Sequence, residues 1–336
     1  MTSTKKSIKD IDYLYASARI KSLEKDLLSR DRLERMCEAK SMEDALKPLG
    51  ESGWPEFPGQ SMSAVEEVLA GRRDEAFALI QNLAPDRRLA DVFLIKYDYH
   101  NLKALLKSEA TGEDPETLLI GAGTIPVRQL KTMLQDGSFS DMTAIMAGCV
   151  DEARDVLART QDPQLLDLLL DRAMYADMLA LAGALDSDFM KDYVVLLIDS
   201  ANLRTAVRLR RMGKGSEILR HALIPGGFVS TSRLLGDLTP DVVENAFGVS
   251  PLAVAAQAGA QALRGEGSLA DVDLACDNVL LRYLKKAKYV AFGLEPLAGY
   301  LAAVEAELTS VRTVITGRLA GLAAERITER LRETYV

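Results

Sequence analysis

A chain of 336 residues has room for two or three domains, and 48% hydrophobic with 27% charged residues supplies ample material for a core. Leu and Ala abound while aromatic residues make up only 6%, which favours helices, where these side chains lose little rotamer freedom. The formal charge of −8 repels nucleic acid and anionic lipid, so the composition argues against a nucleic-acid partner.

In chain order, the opening "MTSTKKSIKDIDYLYASARI" lacks the apolar core of a signal peptide. No stretch reaches roughly 18 consecutive apolar residues, so no bilayer span is expected and the protein reads as cytosolic. Leu14, Ala18, Leu23 and Leu27 predict one face of a first amphipathic helix. A break follows at "GESGWPEFPGQS", residues 50–61. "KYDYHNLKALLK" (96–107) then places Asp98, Asn101 and Lys103 in a helix rich in buried-type residues, where unpaired polar groups are costly.

Further breaks fall at "TGEDPE" (111–116), "MGKG" (212–215) and "RGEGS" (264–268). Between them, Asp162-Pro163 opens a helix over 163–185, with Asp as cap and Pro at the first helical position. A second helix over 192–213 ends at Gly213. From Leu294 the pattern is helical to the last residue, with an interruption near Gly317. No period-two strands with hairpin turns are found, so the fold reads as all-α. Cys37, Cys149 and Cys276 lack any CxxC spacing and suit buried positions in a reducing compartment, with neither zinc nor disulfides.

Two patterns recur with a period of roughly one hundred residues. Asp98-x-x-Asn101-Leu102-Lys103 returns as Asp199-x-x-Asn202-Leu203-Arg204, and more weakly as Glu307-x-x-Ser310-Val311-Arg312. Leu28 and Leu33, Ile125 and Leu130, and Val229 and Leu234 form the second set, in strict alternation with the first. Three related helical units are therefore expected, over 1–108, 109–213 and 214–336.

The repeat also weighs the chemistry. An enzyme could use Asp98, Lys103 and His100 as its base, but His100 aligns with Ala201 and Thr309. The acid, the small polar residue and the cation persist without the imidazole, which favours a structural role: Asp98 and Asn101 share a helical face and can fix a neighbouring loop, while Lys103 runs to solvent. No metal-ligand spacing, GxSxG or phosphate loop is present, so no catalytic residue, cofactor or metal is assigned. Gly121–Gly123 and Gly226–Gly227 occupy equivalent positions and read as helix–helix turns. The basic stretch Arg204–Lys214, with Arg208, Arg210 and Arg211, suits either a solvated helix end or docking to an acidic partner.

"YLYASARIKSLEKDLLS", the two DxxNL[KR] helices, "LIPGGFV" and "FGLEPLAGYLAAVEAELTSVRTVITGRLAG…RLRETYV" together cover almost the whole chain. They resemble the C-subunit family of V-type (A/V-type) ATPases and ATP synthases, related to the d subunit of eukaryotic V-ATPase. The closing stretch is the most specific, with Glu295-Pro296, Tyr300, Glu307 and Arg312 where the family pattern puts them. "ESGWPEFPG" and Ser310 depart from it.

The resemblance implies a funnel of three similar helical domains about a pseudo-threefold axis. Such a protein seats the central shaft and rests on the cytoplasmic face of the membrane proteolipid ring, passing torque between them without an active site. It also implies a single copy per complex, no transmembrane segment and a peripheral location. Contacts to partners are expected at Gly121, Gly123, Gly226 and Gly227 and along Arg208–Arg211. A free-standing helical scaffold and an all-α enzyme are the alternatives.

Overall fold

Helices begin where short polar side chains can cap them. Ser29, Ser41, Ser61, Thr143, Ser187 and Thr239 each accept from the backbone N–H three residues on. Asp162 accepts from Gln164 with Pro163 at the first helical position, as the sequence predicts. The computed structural model describes residues 8–59 and 61–336, and among these there are helices and connections but no strand. The expected all-α class is borne out.

In order, the α-helices are α1 (Leu14–Leu23), α2 (Arg30–Glu38), α3 (Met42–Glu51), α4 (Met62–Leu83) and α5 (Arg88–Thr111). There follow α6 (Val127–Asp136), α7 (Ala144–Thr160), α8 (Pro163–Ala184), α9 (Asp188–Arg211) and α10 (Ser216–Ala222). The last are α11 (Pro240–Phe247), α12 (Ala253–Arg264), α13 (Leu269–Leu284), α14 (Glu295–Leu319) and α15 (Ala324–Thr328). They divide into two compact units, one spanning Arg88–Val272 and the other joining Met1–Arg87 to Asp273–Val336.

In the unit made from both chain ends, α14 is the central helix and packs against α1, α2, α4 and α15. It is buried on nearly every side, through Leu301, Val304, Val311 and Val314 among others. The helix passes straight through Gly317, where an interruption was expected. A Cβ there would lie 2.8 Å from Ile327 Cγ1, so the glycine serves close packing and the helix ends near Gly321, at φ +69°. The last residues are also not helical. Glu333 N–H donates to Asn278 Oδ1, and Lys285 donates to the Thr334 carbonyl. Ile327, Leu331 and Tyr335 are buried at intervals of four, which imitates a helical stripe.

The predicted first stripe holds only in its second half, where Leu23 is half-buried and Leu27 buried. Tyr13, Ala16, Ser17 and Ile20 turn inward, while Leu14 and Ala18 are exposed. Inside the "ESGWPEFPG" segment, Trp54 is buried under the Arg72 guanidinium, 5.7 Å from the ring centroid.

In the Arg88–Val272 unit, α8 packs on α5, α7 and α9, and α12 packs on α9 and α11. Phe93 of α5 stacks on Tyr193 of α9 with centroids 5.6 Å apart. Helix α9 ends in a Schellman arrangement: Gly213 N–H donates to the Arg210 carbonyl and Lys214 N–H to that of Leu209. Gly213 takes φ +68°, as a helix-terminating glycine must.

Candidate functional site

Each of the three repeated helices aims one buried acid at the backbone of a loop. On α5, Asp98 Oδ2 accepts from Thr124 N–H at 2.9 Å and from its hydroxyl at 2.6 Å. Its Oδ1 accepts from Ile125 N–H at 3.0 Å. On α9, Asp199 accepts from Phe228 N–H at 3.2 Å and Val229 N–H at 3.1 Å. On α14, Glu307 Oε1 accepts from Leu28 N–H at 2.5 Å. Ile125, Val229 and Leu28 are the leading residues of the second sequence pattern. The two alternating patterns are thus the two halves of one contact, a carboxylate clasp on an otherwise unsatisfied loop backbone.

The amides add a second hold. Asn101 donates to the Ile120 carbonyl at 2.7 Å and accepts from Ile120 N–H at 2.8 Å. Asn202 does the same to Ile224, with both bonds at 2.8 Å. Only a side-chain amide offers donor and acceptor in this geometry, so Ser310 cannot reproduce the pair in the third copy.

Two of the four loop glycines are explained by the clasp. A Cβ on Gly123 would lie 1.9 Å from Asp98 Oδ1, and one on Gly227 would lie 2.1 Å from Asp199 Oδ1. The loop backbone can approach these short acids only without a side chain there. In the third copy the matching position is Asp26, and the longer glutamate reaches its loop from farther back. Gly226 sits at φ +100° against Leu179, whereas Gly121 faces open space.

The cations do not run free to solvent. Lys103 meets Asp171 of α8 at 2.5 Å, and Arg312 grips Glu66 of α4 through two bonds of 2.6 and 2.7 Å. Arg204, their counterpart on α9, lies near Tyr175. The expectation for Lys103 failed because the neighbouring helix supplies an acid at the right height.

Burial raises the pKa of all three clasp acids, against the pull of their N–H donors. Asp199 is pushed up to about 6 and Glu307 to about 7. Glu307 has one N–H donor, and its buried Oε2 has no hydrogen-bond partner among the described residues. A carboxylate raised in this way binds its proton more tightly in the folded state. Its contribution to stability is therefore full below the unfolded value near 4.5 and is lost as pH rises through about 7. Relative to Glu307→Gln, the natural chain should gain on the order of 2 kcal/mol between pH 8 and pH 5. Denaturant melts of both forms at the two pH values test this, and a pH-independent difference would refute it.

The residues of the enzymatic alternative are not brought together. His100 is exposed and its Nε2 lies 2.8 Å from the Leu118 carbonyl, while Asp98 and Lys103 are held by their own separate partners. No group of three potential metal ligands occurs among the described residues. In the basic stretch, Arg210 pairs with Asp237 at 3.0 Å and Arg211 reaches the Gly267 carbonyl, while Arg208 is exposed.

One buried polar centre is not signalled by any repeat or motif. Asp177 of α8 accepts from the Tyr99 hydroxyl at 2.6 Å and the Thr143 hydroxyl at 2.5 Å, tying α5, α7 and α8 together. Its only trace in the sequence is an acid in the apolar run "AMYADMLALA".

A family model described as ATP synthase (C/AC39) subunit matches residues 16–330, a span that includes all three clasps. The chain belongs to this family. It is 25% identical to the C subunit of the A-type ATP synthase of Methanocaldococcus jannaschii, over 96% of this chain and 87% of the relative. It is also 25% identical to the C subunit of the V-type ATP synthase of Thermus thermophilus, covering 95% and 98%. The C subunit of the V-type sodium ATPase of Enterococcus hirae is 21% identical, over 97% and 99%. As a C/AC39 member, the chain is part of a rotary ATPase, and no described helix is long and apolar enough to cross a membrane.

Proposed function

We propose that this C/AC39 protein is the non-catalytic rotor coupling of a V-type ATPase or ATP synthase. It seats the central shaft, rests on the cytoplasmic face of the proteolipid ring, and carries torque between them in ATP-linked proton or sodium transport. The observation that carries this reading is the near full-length family match, shared with relatives that are C subunits of A-type and V-type complexes. The clasps suit the task. A coupling under torque must not yield at its loops, and each clasp ties a loop to a long buried helix through hydrogen bonds shielded from water.

In this reading the units 1–108, 109–213 and 214–336 stand about a pseudo-threefold axis as a funnel, with one copy per complex. Gly121 and Gly226 mark the turns, and Arg208 to Arg211 the basic edge, at which partners are sought. Gly123 and Gly227 contribute through the shape of those turns, since each backs directly onto its acid. The test is to tag the chain, purify it from native membranes and identify what comes with it. Shaft, catalytic-head and proteolipid subunits together support the coupling role, and the chain alone contradicts it.

A further inference from the structure

The first helix and the segment before α14 run side by side in opposite directions. The Ser17 hydroxyl donates to the Gly293 carbonyl and accepts from Gly293 N–H, and Lys21 Nζ donates to the Lys288 carbonyl. The start of the first helix, the residues just before it and the segment before α14 carry large apolar side chains that the unit leaves uncovered. Tyr289 is 92% exposed, Tyr15 74%, Ile11 57% and Leu14 51%. Scattered apolar residues are ordinary on a surface, but four on two adjoining segments are the anchors expected of an interface.

The charge along these segments is uneven on a chain whose net charge is −8: exposed Asp10 and Asp12 flank Ile11, and lysines gather at the other end. There Lys21, Lys25 and Lys288 line an open basin of about 540 Å³. None of the three has a carboxylate partner among the described residues; Lys21 and Lys288 spend their ammonium groups on backbone carbonyls. Cations elsewhere in the protein are widely paired, as Lys103, Arg154, Arg264 and Arg332 are. Glu24 and Asp31 share the basin with the lysines. A uniformly anionic bilayer would meet those acids unfavourably, whereas a protein surface can match a mixed pattern charge by charge.

We propose that the edge formed by α1 and residues 288–293 docks a segment of another protein that carries apolar side chains flanked by Asp or Glu. The aromatic and aliphatic residues supply anchoring area, and Lys21, Lys25 and Lys288 set the orientation and the rate of encounter. The inference rests on the reading of the chain as part of a larger complex only for the place where the partner is sought.

The test places the photo-reactive residue p-benzoylphenylalanine at Tyr15 or Tyr289 of the tagged full-length chain in its native host. Irradiation is followed by purification and mass spectrometry of the adducts. Both positions should join to one acid-rich segment of a different polypeptide. Lys21→Glu/Lys25→Glu/Lys288→Glu should lower the adduct yield about tenfold, and raising salt from about 0.05 to about 0.5 M before irradiation should lower it in the unmutated chain. The salt arm decides the matter if the triple variant does not fold. Adducts to lipid, to a second copy, to residues 1–7 of the same chain or to a segment poor in acids overturn the proposal, as does an unchanged yield in high salt. Recovery of the other ATPase subunits without any adduct overturns the docking edge but leaves the coupling function standing. An acid-rich adduct on a protein outside any ATPase does the reverse.

Discussion

Asp98→Ala should destabilise the Arg88–Val272 unit by about 3 kcal/mol, because it strands the buried N–H of Ile125 and removes the charged acceptor from the part-buried N–H and hydroxyl of Thr124. Removing one partner of a buried bond costs the desolvation of the group left behind, which exceeds the net value of the bond. Asp98→Asn keeps an acceptor in place and should lose roughly half as much. Lys103→Ala removes an ion pair whose acid is 38% exposed, and its cost should stay near or below about 1 kcal/mol. Urea unfolding of the three variants gives the ranking. A loss for Asp98→Ala no larger than for Lys103→Ala would mean that the clasp does not hold the loop.

Gly123→Ala should be as damaging, for a steric reason. The new methyl would lie 1.9 Å from Asp98 Oδ1 and 2.9 Å from its Cγ, so the carboxylate must move and release its donors. Overpacking and the broken bonds together should cost about 3 kcal/mol or more. Gly227→Ala should behave alike through Asp199, whose Oδ1 would stand 2.1 Å away. Gly121→Ala is the control, since nothing lies within 4 Å of its Cβ position. Thermal melts of Gly121→Ala and Gly123→Ala, two residues apart in one loop, separate a packing requirement from a general intolerance of alanine. Equal melting temperatures would exclude the close approach.

Much of the clasp is legible in the sequence alone. An acid and an amide three apart, persisting where the histidine between them does not, point to a structural contact. The second pattern, led by Leu28, Ile125 and Val229, marks where that contact lands. What spacing cannot supply is the pairing. Glu307 meets Leu28 across 279 positions of sequence, and no local signal encodes such a separation. Nor can it show that Gly123 and Gly227 face the acids, because a turn glycine and a close-approach glycine are the same letter.

The misread segments have a common cause. Ile327, Leu331 and Tyr335 are spaced like a helical stripe, yet the last turn bond is that of Leu331 N–H to the Thr328 carbonyl, and beyond it the backbone is held by Asn278 and Lys285. In α1, Leu14 fits a helical face but is turned outward, and Ala16, Ser17 and Ile20 fill the contact. Periodicity reports apolar residues, and when some of them lie on an uncovered edge it assigns the buried face wrongly.

The coupling role is tested most directly by the composition of what the tagged chain brings from native membranes in mild detergent and low salt. Co-elution of shaft, catalytic-head and proteolipid subunits in constant proportion to a single copy of the chain is the expected result. Recovery of the chain free of all of them, from membranes in which the rest of the complex remains assembled, would contradict it.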